Sequence, residues 1–129
     1  MFNLTWYNTL NQPALTPPAW IFPPVWAVLY LTIFVSFILF AFKKTNYSKA
    51  WGYILFFTQL FLNLCWTPVF FTFHNMSLAL AIIGLMIVFV FWNIIEFIQV
   101  SKTSGLLLIP YFLWLIFAAY LNTGFMILN

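Results

Sequence analysis

The stretch QLFLNLCWTPVFF, residues 59–71, places hydrogen-bonding side chains inside an apolar segment long enough to cross a bilayer. Gln59, Asn63 and Trp66 are spaced by four and three residues, which puts them on one face of a helix. Lipid cannot satisfy an amide, so this face is predicted to look into the protein. A polar stripe inside a membrane bundle indicates a ligand cavity. The alternative is that the amides only join helices, at about 1 kcal/mol each.

The composition indicates a single membrane domain, residues 1–129. The chain is 66% hydrophobic and 4% charged, whereas a soluble domain carries about 25% charged residues. Most of its surface must therefore face lipid. The net charge of +3 is too small to indicate nucleic-acid binding. The single cysteine, Cys65, excludes a disulfide within the chain and a CxxC site.

Four apolar segments have the length of a membrane span, and short loops connect them. We therefore predict an all-α integral membrane protein with four transmembrane helices in an antiparallel bundle. The predicted helices cover approximately residues 20–42, 51–73, 78–100 and 106–128, after an aromatic and proline-rich lead-in, residues 1–19.

Prolines are expected to disturb three of the spans. Pro23 and Pro24 should delay regular helix until about Val25 or kink its start. Pro68 should break the second span, and Pro110 should bend the last one.

All four lysines lie in the first and third loops, which share a side in a bundle of four antiparallel helices. The positive-inside rule makes that side cytoplasmic, so both termini and the loop with His74 are predicted to lie outside. Glu96 is the only carboxylate side chain. We expect it to reach the headgroups or to pair with Lys43, Lys44 or Lys102, and a proton relay is the alternative.

The motifs TWYNTLNQP, PPAWIFPPVWAVLY, QLFLNLCWTPVFF, FIQVSK and LLLIPYFLWLIFAAYLN occur in this order along the chain. In this order and spacing they closely resemble the TspO/MBR family of tryptophan-rich sensory proteins, which includes the mitochondrial translocator protein. The resemblance covers nearly the whole chain and implies a five-helix fold. The family's first helix is expected to be missing here, so that the four spans correspond to family helices 2–5.

The resemblance also implies a ligand and a site. Family members bind porphyrins, notably protoporphyrin IX, and other hydrophobic molecules in an outward-facing cavity. By its motif positions, the resemblance places Trp26, Asn63, Trp114 and Ala118 in that cavity. Tyr30 shares a helix face with Trp26. The full set of expected ligand-binding residues is Trp26, Tyr30, Gln59, Asn63, Trp66, Trp114 and Ala118. No obligatory cofactor, metal or nucleic acid is expected; the expected partners are the lipid bilayer and a tetrapyrrole or other hydrophobic molecule, with a homodimer as an open option.

Three functions compete at this point. The first is a porphyrin-binding receptor or sensor in a bacterial cell membrane. The second is a transporter or channel for a small hydrophobic solute, which needs a through-going polar path, whereas the polar residues are expected to cluster in the outer half. The third is a truncated, non-functional family member. No catalytic set of side chains can be assembled, so enzyme activity is not expected; the resemblance leaves light-dependent porphyrin breakdown open.

Overall fold

The structure is a computed structural model, and it describes residues 9–11, 14 and 19–128. Most of the lead-in, residues 1–19, therefore lies outside the described residues. The regular elements of the described part are all helical. They are a 3-10 turn Ala19–Ile21 and the α-helices α1 Phe22–Phe42, α2 Ala50–Phe71, α3 Met76–Val100, α4 Lys102–Leu106 and α5 Ile109–Leu128.

The helices form four membrane spans, as predicted. α1, α2 and α3 are each long and apolar enough to cross a bilayer, and α4 and α5 together make the fourth span. The fourth span begins at Lys102 rather than near residue 106. The reason is a cap, because the Ser101 hydroxyl oxygen accepts a hydrogen bond from the Ser104 backbone N–H at 3.3 Å. The protein is thus an all-α integral membrane protein.

The expected delay at Pro23 and Pro24 was wrong, because α1 begins at Phe22 and both prolines lie in its first turn. The first backbone N–H groups of a helix have no intrahelical partner, so a proline there loses no hydrogen bond.

The expectation for Pro68 also needs correction, whereas that for Pro110 does not. α2 continues through Pro68 to Phe71, and the Pro68 carbonyl accepts hydrogen bonds from Thr72 N–H and Phe73 N–H, both at 2.9 Å. The fourth span is interrupted between Leu106 and Ile109, beside Pro110, which is the second residue of α5, so the expected disturbance lies at this position.

The order of the helices around the bundle differs from their order along the chain. α3 packs along α2 on one side and along α5 on the other, while α1 packs against α4 and α5. The backbones of α1 and α2 hardly approach each other, although a short loop joins them. Their side chains meet instead, and the rings of Phe37 and Phe56 stack with centroids 4.6 Å apart.

The lysine-bearing loops lie at one end of the bundle, which we call the lysine end. There the Tyr47 hydroxyl donates to Glu96 Oε2 at 2.8 Å, and Lys49 Nζ donates to the Ala41 carbonyl at 3.0 Å. The bond to Glu96 raises the pKa of Tyr47 above its ordinary value. Within the described part of the chain, Glu96 therefore binds a tyrosine and not the expected lysine. The opposite end, which carries His74, we call the His74 end.

Two polar contacts join helices in the lysine half. The Ser36 hydroxyl donates to the Ser104 carbonyl and the Ser104 hydroxyl donates to the Ser36 carbonyl, each at 2.6 Å. Asn93 Nδ2 donates to the Gly52 carbonyl at 3.3 Å. A Cβ atom at Gly52 would lie 2.4 Å from the Phe40 ring, so any larger residue would force this buried ring to move. These contacts fix α1 on α4 and α3 on α2.

Candidate functional site

The site is built around the indole ring of Trp26, which is buried near the start of α1. Four other rings surround it. Their centroids lie 5.8 Å from Trp26 for Tyr30, 6.5 Å for Trp66, and 6.4 Å for both Tyr111 and Trp114. We call these five residues the aromatic cluster. It joins α1, α2 and α5 at one level of the bundle.

Helical spacing explains how these rings meet. Trp26 and Tyr30 are four residues apart on α1, and Tyr111 and Trp114 are three residues apart on α5, so each pair shares a helix face. The two faces meet across the interior with Trp66 of α2. Tilted and edge-to-face arrangements predominate, such as the 88° angle between Trp26 and Trp114, and these are favourable geometries for aromatic pairs.

A chain of hydrogen bonds adjoins the aromatic cluster. The Tyr30 hydroxyl donates to Asn63 Oδ1, and Asn63 Nδ2 donates to the Tyr111 hydroxyl at 2.9 Å. The Tyr111 hydroxyl in turn donates to Gln59 Oε1 at 2.8 Å. Gln59 is 0% exposed and Asn63 is 2% exposed. The prediction that this face of the second span looks into the protein is confirmed.

A second polar link lies closer to the His74 end. Trp66 Nε1 donates to Asn122 Oδ1 at 3.3 Å, and Asn122 Nδ2 donates to the Met76 carbonyl at 2.9 Å. This link ties the end of α2 to α5 and to the first residue of α3. It also holds the Trp66 ring in a fixed orientation beside Trp26.

Two buried hydrogen-bond donors of the site have no partner within the described structure. They are Gln59 Nε2 and Trp114 Nε1. A buried donor without an acceptor costs about 1–3 kcal/mol, and native proteins contain few such groups. These two N–H groups are therefore the unsatisfied donors of the site within the part of the chain that the structure describes.

The structure brings the expected site residues together. All except Ala118 are joined by the ring contacts or hydrogen bonds described above, and Ala118 lies one turn beyond Trp114, where it is buried. The opening of this site toward the outer surface stays a prediction.

Sequence reasoning missed two members of the site. Tyr111 is 0% exposed and Asn122 is 1% exposed. They lie seven residues before and four residues after Ala118, so all three share one face of α5. The spacing could have identified both residues, because they lie on the same helix face as Ala118, which the sequence predicted to line the site.

The side chains around Trp26 are mostly aromatic and neutral. Within the described ranges no three His, Cys, Asp or Glu side chains come together as a metal site. The aromatic cluster offers flat apolar rings, indole donors and two phenol hydroxyls, and the adjoining Gln59 and Asn63 add side-chain amides. Such a set can hold a flat, largely apolar molecule and fix its orientation through a few hydrogen bonds.

Comparison with known proteins identifies the family of this chain. The sequence model of the TspO/MBR family matches residues 2–128. The chain is 38% identical over 127 residues to the tryptophan-rich protein TspO of Chlorobaculum tepidum, covering 96% of this chain and 79% of that protein. It is 35% identical to the tryptophan-rich sensory protein of Cereibacter sphaeroides, covering 96% and 77%. It is 34% identical to the human translocator protein, covering 92% and 72%. The chain belongs to the TspO/MBR family.

Proposed function

We propose that this protein is a membrane receptor or sensor that binds a flat hydrophobic ring compound, a tetrapyrrole such as protoporphyrin IX, at the aromatic cluster. Relatives named as a sensory protein and as a translocator protein support the receptor role. One structural observation supports the proposed class of ligand. It is the group of rings around Trp26 together with two donors that have no partner within the described structure, Trp114 Nε1 in the cluster and Gln59 Nε2 beside it.

Different residues contact the ring and the polar atoms of the ligand. The indoles of Trp26 and Trp114, whose planes lie at 88°, contact the ligand ring, one by its face and the other by its edge, and each aromatic pair adds about 0.5–1.5 kcal/mol beyond the burial of area. The chain through Asn63 and Tyr111 holds the Gln59 carbonyl oxygen. The Gln59 amide nitrogen is thereby fixed as a donor toward a ring nitrogen or a side-chain oxygen of the ligand.

A titration with protoporphyrin IX tests the proposal. The porphyrin absorbance and the tryptophan fluorescence are followed in detergent for the unsubstituted protein and for the Trp114→Phe and Trp92→Phe variants. Trp92 is the matched control, because it lies on the surface against Trp51, with ring centroids 5.1 Å apart. We expect saturable binding that Trp114→Phe weakens by about three- to tenfold, because it removes part of the ring contact and one N–H donor.

Two outcomes would contradict the proposal. One is no saturable binding to the unsubstituted protein. The other is an equal loss of affinity in both tryptophan variants, which would place the ligand on the surface.

The orientation and assembly of the protein belong to the same proposal. The lysine end faces the cytoplasm of a bacterial cell, and the His74 end faces outward, as the grouping of the lysines favours. A homodimer stays a prediction, and chemical cross-linking of the purified protein tests it.

Transport of a small hydrophobic solute is a second candidate, because buried polar residues do not cluster in the outer half as expected. Ser36, Asn93 and Ser104 are all 0% exposed and lie in the lysine half of the bundle. A row of polar groups at several depths is what a permeation path needs. Uptake of porphyrin into protein-containing vesicles, compared with empty vesicles, tests this candidate. Equal uptake by both would contradict it.

A further inference from the structure

A surface patch near the lysine end joins α2 to α3 through aromatic rings and a carboxylate. The indole rings of Trp51 and Trp92 stack with centroids 5.1 Å apart. Glu96 lies four residues after Trp92 on α3, one helical turn further toward the lysine end. Its Oε2 atom accepts the hydrogen bond from Tyr47, which belongs to the loop before α2. We call these four residues the indole–carboxylate patch.

The patch lies at the level where the membrane spans end. Trp51 is the second residue of α2, and Glu96 lies four residues before Val100, the last residue of α3, which corresponds to about 6 Å of helix rise. The three rings of the patch are open to the surroundings, since Tyr47, Trp51 and Trp92 are 42%, 51% and 38% exposed. Tryptophan and tyrosine rings at this level of a bilayer lie among the lipid headgroups. The patch therefore faces phospholipid headgroups.

The charges around the patch have both signs. Glu96 is the only carboxylate side chain of the chain, and among the described residues its partner is a tyrosine and not a lysine. That hydrogen bond uses Oε2, which leaves Oε1 for a further donor. Lys43 and Lys44 are exposed in the same loop as Tyr47. The lysine end thus presents ammonium groups and, beside the two indoles, one carboxylate, which together are complementary to a headgroup that carries a phosphate and an ammonium.

We propose that the indole–carboxylate patch binds the headgroup of phosphatidylethanolamine in the leaflet on the lysine side. The primary ammonium of this lipid donates a hydrogen bond to Glu96 Oε1, and its phosphate lies near the exposed lysines of the loop. The glycerol and the upper part of the acyl chains lie on the indoles of Trp51 and Trp92. This lipid contact is independent of the ligand that the aromatic cluster binds.

The chemistry of the carboxylate selects this headgroup among the common phospholipids. A primary ammonium carries three N–H donors, and hydrogen bonds between two charged groups are stronger than those between neutral groups. The quaternary ammonium of phosphatidylcholine has no N–H, so it can only lie near Glu96 without donating to it. Phosphatidylglycerol has a phosphate and no ammonium, so its charge is repelled by the carboxylate of Glu96.

Two substitutions separate the charge of Glu96 from its hydrogen bond to Tyr47. Glu96→Gln removes the charge and keeps an oxygen that can accept from the Tyr47 hydroxyl. Tyr47→Phe removes the hydroxyl and keeps the charge, so it is the matched control. The unsubstituted protein and both variants are mixed in detergent with equal concentrations of phosphatidylethanolamine, phosphatidylcholine and phosphatidylglycerol that have identical acyl chains. Native mass spectrometry then measures how much of each lipid is bound to the protein.

We expect the unsubstituted protein to bind phosphatidylethanolamine about two- to fivefold more than phosphatidylcholine, which is the range that an exposed ion pair provides. Glu96→Gln should bring this ratio to about one, because the ion pair is lost. Tyr47→Phe should keep the ratio of the unsubstituted protein. Glu96→Gln should also raise the binding of phosphatidylglycerol, because the repulsion between the carboxylate and the phosphate is removed.

Three results would overturn the inference. One is that the unsubstituted protein binds phosphatidylethanolamine no better than phosphatidylcholine, or that Glu96→Gln leaves the ratio unchanged. Another is an equal fall of the ratio in Tyr47→Phe and Glu96→Gln, which would make the hydrogen bond between the two residues a structural contact without a role for the charge. The last is a preference of the unsubstituted protein for phosphatidylglycerol over both other lipids, which would show that the lysines alone select the lipid.

Discussion

Replacing Tyr111 by Phe removes one oxygen atom from the middle of the bundle and leaves the ring in place. That oxygen accepts a hydrogen bond from Asn63 Nδ2 and donates one to Gln59 Oε1. Since Gln59 Nε2 already lacks a partner within the described structure, the substitution leaves both polar atoms of the Gln59 amide buried and unpaired. Interhelical hydrogen bonds in membranes contribute about 0.6 kcal/mol on average and up to about 1.7 kcal/mol.

Two such bonds are lost, and unpaired buried groups add to the cost. We therefore expect Tyr111→Phe to lower the free energy of unfolding by about 1–3 kcal/mol. The assay is equilibrium unfolding by SDS in mixed micelles, followed by circular dichroism. Tyr53→Phe is the control, because Tyr53 is half-buried and its hydroxyl makes no hydrogen bond to a described residue, so its loss should change little.

A double substitution shows whether the hydrogen bonds are the cause. Gln59→Leu removes the amide that accepts a hydrogen bond from Tyr111. The double substitution Gln59→Leu with Tyr111→Phe should therefore lower the free energy of unfolding by less than the sum of the two single substitutions. Additive losses, or a loss below about 0.5 kcal/mol for Tyr111→Phe, would refute the view that this chain stabilises the bundle.

Three further predictions concern other parts of the molecule. Ser36→Ala removes one bond of the reciprocal pair with Ser104, and we expect a loss of about 1 kcal/mol in SDS unfolding; no loss would mean that the pair does not fix α1. Trp66→Phe releases the α5 asparagine side chain, so it should lower stability measurably, whereas a neutral result would contradict the link near the His74 end. In cells with a cysteine-free parent protein, an impermeant thiol reagent should label a cysteine placed at His74 and not one placed at Lys44; the reverse pattern would show the opposite orientation.

The sequence predicted the class of fold, the number of spans and the inward face of the second span. These follow from local patterns, because membrane length, apolar composition and helical spacing are all readable along the chain. Gln59 and Asn63 stood out since amides are rare in lipid-facing positions. Tyr111 did not, because a tyrosine in a membrane span also fits an interfacial belt.

The neighbour relations of the helices could not be read in the same way. Short loops suggest that consecutive helices are neighbours, yet α1 packs on α4 and α5 and stands away from α2. Two bulky rings, Phe37 and Phe56, occupy the space between them, while the small residues Ser36 and Ser104 allow the close approach on the other side. Which bulky or small residues face each other depends on the tertiary arrangement, and no local spacing encodes it.

The contact of Ser36 with Ser104 has a consequence for how the chain assembles during synthesis. These residues are 68 positions apart, and at about 5–20 residues per second the ribosome needs roughly 3–14 seconds to make the intervening chain. During that interval α1 is in the membrane before α4 and α5, against which it packs, have been synthesised. The isolated helix is compatible with lipid, because it carries no charged residue and exposes apolar side chains such as Val28, Leu31 and Phe34. The hairpin of α2 and α3 can close early, whereas α1 reaches its contact with α4 only after both of these helices have been made.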